Sequence, residues 1–172
     1  MSKKRRLAGY RPLPHRNRGD CFGCGTGNDA GLRMEFFTDD RSLVSEVAIP
    51  PFLCGWNNLV HGGIISTVLD ETMGWTAIYF TRRLVLTRNL SVDFLKPVFV
   101  EQPLWVEGRV KERNGERLAI VTSEMYNSKE ELCARAEALF SLFTVDAARR
   151  LGFLDDELLA DLEENFFQRR PE

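Results

Sequence analysis

The sequence predicts an α+β domain: one long central helix wrapped by a curved antiparallel sheet. Three observations carry this. Residues 63–80 are apolar on nearly every side at helical spacing. Residues 85–145 alternate apolar and polar between turn signals. A helix apolar all round needs cover from a sheet that bends about it. At 172 residues, with 44% hydrophobic and 28% charged residues, the chain suits about one domain with a sizeable core.

Residues 1–31 carry Pro12, Pro14 and a run of glycines and read as an irregular arm. Leu32–Phe37 and Leu43–Ile49 alternate about a turn at Thr38-Asp39-Asp40-Arg41, which predicts a hairpin. Pro50-Pro51 ends it, and 52–60 is loop. The helix follows, with Ile64, Ile65, Val68, Leu69, Met73, Trp75 and Ala77 among its apolar residues. Val85–Leu95 places Leu90, Val92 and Phe94 on one face and stops before Pro97. Leu104–Glu112 and Leu118–Tyr126 are joined by Asn114-Gly115, a strong hairpin signal. In 132–145 Ala134, Ala136 and Ala138 favour helix, while Phe140, Leu142 and Val145 favour strand; the short turn feeding it tips the reading to strand. Asp155–Phe167 reads as a surface helix with Leu158, Leu159, Leu162 and Phe166 on one side. The organisation expected is a basic arm over 1–31, the domain over 32–145 and an acidic helical tail over 146–172.

A net charge of −2 removes any general attraction to nucleic acid. The arm concentrates Lys3, Lys4, Arg5, Arg6, Arg11, Arg16 and Arg18. We read it as a solvated terminus, with polyanion binding as the alternative and no nucleic-acid partner expected. No apolar run reaches the ~20 residues that span a bilayer, and none follows MSKKRR as in a secretory signal. The expected compartment is the cytoplasm, with no membrane partner.

Cys21 and Cys24 form a CxxC pair, with His15 six residues upstream and Cys54 and Cys133 distant. Three readings stand beside one another: a structural loop, a metal site completed by a distant ligand such as Cys54, and a redox pair. The first is favoured, since no second CxxC follows; no metal and no cofactor are expected.

The helix entrance carries the chemistry. His61-Gly62-Gly63 puts glycines where backbone N–H groups are free, at the positive end of a helix dipole. Such donors suit a carbonyl oxygen that gains charge during reaction. Asp70 and Glu71 stand within the apolar helix, where desolvation raises a carboxyl pKa and favours a base. For Asp70 the alternative is a structural pair with Arg88. For Glu71 it is solvent or an arginine, and for His61 a hydrogen-bonded core residue.

HGGIISTVLDETMGW, preceded by CFGCG and GLRMEFF and followed by LTRNLSVDFLKPV, resembles the PaaI-like branch of the hotdog-fold acyl-CoA thioesterases. The resemblance covers roughly residues 20–145. It implies the hotdog fold, with an antiparallel sheet of five or six strands around the helix, and a homodimer or dimer of dimers whose sheets join. It implies that the Gly62 N–H polarises the thioester carbonyl, that Asp70 acts as base or nucleophile, that Thr87 places the water and that His61 supports the substrate. Gly63, Glu71 and Arg88 are further candidates for substrate contact. Many relatives carry an amide side chain where this chain has Gly55, and Asn57 or Asn58 is expected in its place. Trp75, Tyr79, Phe80 and Phe94 are pocket or core aromatics. Arg82, Arg83, Arg88, Lys96, Arg113 and Arg117 are candidates for the coenzyme A phosphates. The DxNxxH and HFP motifs of other hotdog chemistries are absent. Thioesterase is therefore the expected activity, and a non-catalytic acyl-CoA-binding regulator is the alternative.

Overall fold

The computed structural model describes residues 7–14, 19–152 and 154–167. The apolar run forms helix α1, Gly62–Thr81, 20 residues without a break. Ile65, Val68, Leu69, Met73, Trp75 and Ala77 are buried along it. Its buried hydroxyls are satisfied locally: Thr72, Thr76 and Thr81 each donate to the carbonyl four residues back, at 2.8, 2.7 and 2.6 Å. Arg82, in the left-handed region at φ 54°, caps the end.

The strands are β1 Arg11–Pro12, β2 Phe37–Thr38, β3 Leu43–Ala48, β4 Leu84–Phe94, β5 Pro103–Asn114, β6 Leu118–Tyr126 and β7 Leu132–Phe143. They form one sheet in the order β1-β2-β3-β5-β6-β7-β4, each neighbouring pair antiparallel. The helix packs against β3 to β7, so the sheet wraps it as predicted. Gly108 of β5 lies beneath α1, and a Cβ there would stand 2.2 Å from the Thr76 hydroxyl oxygen. Only a glycine lets helix and strand approach so closely. The ambiguous 132–145 segment is strand: Ala134, Ala136, Ala138, Phe140 and Leu142 are buried with period two, and that burial overrides alanine's helix propensity. The β5–β6 hairpin turns through residues 115–117 with Gly115 at φ 62°.

Two expectations are corrected. Leu32–Phe36 is not a strand; of the expected Leu32–Phe37 only Phe37 enters the sheet, in the two-residue strand β2. The backbone of this segment bonds elsewhere: Leu32 donates to Phe22 at 2.8 Å and Met34 to Gly23 at 2.9 Å, both in the cysteine loop. The tail holds a second helix besides the one expected over Asp155–Phe167, which is present. The tail is thus α2, Val145–Leu151, capped by Gly152, then α3, Asp156–Leu162, continuing into a π-helical turn over Glu163–Phe167. Its apolar stripe is buried, with the Phe166 ring 5.2 Å from Trp75 and its carbonyl accepting from Arg82. Among the described residues no helix is long and apolar enough to cross a membrane. Of the basic arm, Arg11 is in β1, paired with Asp40 at 2.6 Å. Lys3, Lys4, Arg5, Arg6, His15, Arg16 and Arg18 lie outside the described residues.

Candidate active site

The loop before α1 is held at both ends. Gly55 donates to Leu59, Val60 to Val98 and His61 to Leu53, at 2.8, 2.9 and 3.2 Å. This leaves His61 extended, as a capping residue must be, and its Nδ1 accepts the Gly63 N–H at 3.0 Å. Ile64 and Ile65 donate to the His61 carbonyl. The Gly62 N–H is thus the first-turn donor with no acceptor among the described residues. The Phe94 ring stands beside it; a Cβ at Gly62 would lie 3.6 Å away.

Two turns on, the Thr87 hydroxyl of β4 donates to Asp70 Oδ1 at 3.0 Å. Burial pushes the Asp70 carboxyl above its usual range, and the Thr87 bond partly offsets this. Thr87 and Asp70 therefore come together as expected, whereas Arg88 is not the partner of Asp70. Arg88 is the extra residue of a bulge between Thr87 and Asn89. Asn57 and Asn58 sit at an exposed turn closed by Leu59 donating to Trp56 at 2.9 Å, with Asn57 at φ 51°. The Gly55 position lies against His61: a Cβ there would be 3.3 Å from His61 Cα.

Glu71 is half-buried and pairs with no arginine among the described residues. It faces away from Thr87 into the cysteine loop, with its two oxygens 3.6 and 3.7 Å from Cys21 Sγ. Trp75 Nε1 donates to Glu71 Oε1 at 3.0 Å and lies 3.4 Å from Cys24 Sγ. Burial, reinforced by Cys21, pushes the Glu71 carboxyl up to about 7. The Cys24 hydrogen bond and the loop's backbone donors pull the Cys21 thiol down, while that same bond and burial push Cys24 up. Sequence reasoning missed this cluster, because its members lie 50 residues apart; the signal available was a glycine-rich CxxC and a second acid in an apolar helix.

Two hollows flank these groups. An apolar cavity of about 270 Å³ is lined by Leu13, Pro14, Cys24, Met34, Phe36 and Trp75. A groove of about 790 Å³ gathers Arg83, Arg88, Arg117 and Arg150 beside Leu118 and Leu151. Trp75 and Tyr79 are core, whereas Phe94 is 55% exposed.

A sequence profile described as the thioesterase superfamily matches residues 57–134. The chain is 32% identical over 88 residues to the rat acyl-coenzyme A thioesterase THEM4, a stretch covering 51% of this chain and 37% of that protein. It spans less than half the length of this relative and of its Xenopus laevis counterpart, of which it covers 43%. A Pseudomonas aeruginosa protein described as a candidate esterase is 32% identical over 105 residues, covering 59% of this chain and 76% of the other. In three dimensions the chain resembles the Escherichia coli PaaI protein of the phenylacetic acid degradation operon, at TM-score 0.60 and 16% identity over 66% of this chain and 81% of that one.

Proposed function

Because this chain belongs to the thioesterase superfamily, we propose that it hydrolyses an acyl-CoA thioester to the free acid and coenzyme A. The observation that carries the reading is a half-buried carboxylate at Asp70, oriented by Thr87, on a helix whose first residue, Gly62, presents an unsatisfied N–H. The thioester oxygen accepts from Gly62, which stabilises the charge developing there. Asp70 removes a proton from the attacking water, or itself attacks the carbonyl carbon; Thr87 holds it for either role. Collapse of the tetrahedral intermediate breaks the carbon–sulfur bond. On the base route the proton taken from water leaves with the coenzyme A thiolate; on the nucleophile route water then cleaves the acyl–Asp70 anhydride, freeing the acid and supplying that proton.

Gly62 and Asp70 are eight residues apart on one unbroken helix, about 12 Å along its axis. A side chain a few ångströms long does not close that gap, so each site takes Gly62 from one chain and Asp70 from another. The edge position of β4 supports this. This strand carries Thr87, ends the sheet and leaves Leu86 45% and Phe94 55% exposed. Such an edge invites pairing with a second copy, giving a homodimer or a dimer of dimers.

The coenzyme A phosphates bind the arginine groove. Several other candidates are already engaged: Arg113 and Arg83 with Glu116, Lys96 with Glu131, and Arg82 with the Phe166 carbonyl. Arg88, Arg117 and Arg150 line the groove without an ion pair among the described residues. Arg88 follows Thr87 directly, which links groove and base. The test is a hydrolysis screen of acyl-CoA esters with free thiol detected, beside Asp70→Asn. Thiol release by the parent and not by the variant supports the reading. Equal release by both, or none by either when folded, overturns it.

A further inference from the structure

We infer that Cys21, Cys24 and Glu71 form a binding site for a thiophilic divalent metal ion, zinc foremost, which ties the N-terminal loop to α1. The three side chains place one ligand atom each within 4.8 Å of the others. A tetrahedral zinc with sulfur at ~2.3 Å and carboxylate oxygen at ~2.1 Å holds those two atoms about 3.6 Å apart. The Cys21 sulfur lies 3.6 and 3.7 Å from the Glu71 oxygens. Two sulfur donors select zinc or another soft ion over magnesium or calcium.

The surroundings are those of a metal site. Ligands are commonly fixed by hydrogen bonds from behind, and Trp75 Nε1 supplies one to Glu71 while touching Cys24. The loop is held by backbone bonds from Gly25 to Cys21, Gly27 to Gly19, Leu32 to Phe22 and Met34 to Gly23. Its glycines are required for the approach. A Cβ on Gly25 would lie 2.2 Å from the Gly19 carbonyl, and one on Gly23 would overlap the Glu71 side chain at 2.5 Å. No Lys, Arg or His among the described residues bonds to any of the three groups. A bound cation supplies the missing opposite charge, and its uptake releases the protons that the ligands carry. Cys24 is buried and Cys21 exposed, so the ion enters from the Cys21 side, where a water completes the fourth position. Cys54, the distant ligand considered from sequence, is not in the cluster.

The test uses the full chain, purified reduced from zinc-supplemented medium, with metal content measured by plasma mass spectrometry. A chelator-stripped sample is then titrated with Co2+. The site requires close to one zinc per chain and a thiolate-to-cobalt charge-transfer band that saturates at one equivalent. The Cys21→Ser, Cys24→Ser double variant loses both, Glu71→Gln binds Co2+ at least about tenfold more weakly, and Cys54→Ser binds like the parent. Circular dichroism establishes that each variant is folded, and the parent titration stands without them. A folded, reduced parent with less than about a tenth of an equivalent and no cobalt band overturns the proposal. So does a metal-free chain two hydrogen masses lighter, which is a Cys21–Cys24 disulfide, or a Glu71→Gln variant that binds as tightly as the parent.

Discussion

The Thr87 hydroxyl donates to Asp70 across 3.0 Å, joining the last strand of the sheet to the middle of the central helix. Asp70→Asn keeps the size and a hydrogen-bonding oxygen but abolishes the base. Its kcat is expected to fall about 10²–10⁴-fold, the usual contribution of general-base catalysis. Thr87→Val removes a hydrogen bond to a charged group, about 1.5–3 kcal/mol, and is expected to lower kcat tenfold or more with KM little changed. Steady-state kinetics on an acyl-CoA identified by the screen checks both.

Gly62→Pro deletes one N–H and little else. Proline is favoured at the first helical position, where its φ already fits, and the preceding His61 is extended at ψ 134°, as a residue before proline should be. Added atoms meet Phe94 at ordinary contact distance. Turnover is expected to fall about 10²–10³-fold, as for loss of an oxyanion donor, with the melting temperature nearly unchanged.

Mixing the two dead variants tests the shared site. A heterodimer of Asp70→Asn and Gly62→Pro regains one intact site, built from Gly62 of the first chain and Asp70 of the second. In an equimolar mixture activity should rise toward about a quarter of the parent's as subunits exchange at random, since half of the dimers are then mixed and each has one of its two sites intact. Mixed dimers that form and remain inactive contradict the two-chain arrangement.

Gly108→Ala places a methyl 2.2 Å from the Thr76 hydroxyl and 3.3 Å from Thr72. Overpacking of this kind costs about 1–3 kcal/mol. Chemical denaturation should show that loss, and adding Thr76→Ala should return part of it, because the oxygen in the way is gone.

Tyr79 donates to Asp40, and this bond, with Arg11, holds the Asp40 carboxyl below its usual range. A depressed carboxyl contributes stability above its unfolded value, about 3.9, and loses it as pH falls through the folded value. Tyr79→Phe should therefore be less stable than the parent at pH 7 and converge on it in acid. The group is half exposed, so the difference at pH 7 is at most about 1 kcal/mol.

Period and turn chemistry made much of the architecture legible. The helix spans one residue more at each end than its apolar run, and the β5–β6 hairpin lies where Asn114-Gly115 placed it. Leu32–Phe36 misled because alternation reports one buried face, not the hydrogen-bond partner, which here is the cysteine loop. The tail's stripe was readable from Leu159, Leu162 and Phe166, but its docking on Trp75 was not. In the site, Asp70 and Gly62 announce themselves as a charge and a glycine inside an apolar helix. The partner of Glu71 did not, since nothing local in DETMGW points to a cysteine 50 residues earlier.

The strand order also sets how this chain must be assembled. β7 lies between β6 and β4, and β3 pairs with β5 across the whole of α1 and β4. No segment ending before Phe143 holds the complete sheet, so a helix apolar on most sides emerges from the ribosome well before its last cover. Contacts of such long sequence separation make folding slow, on the order of milliseconds to seconds. During synthesis the cover of α1 stays incomplete until β7 has been made.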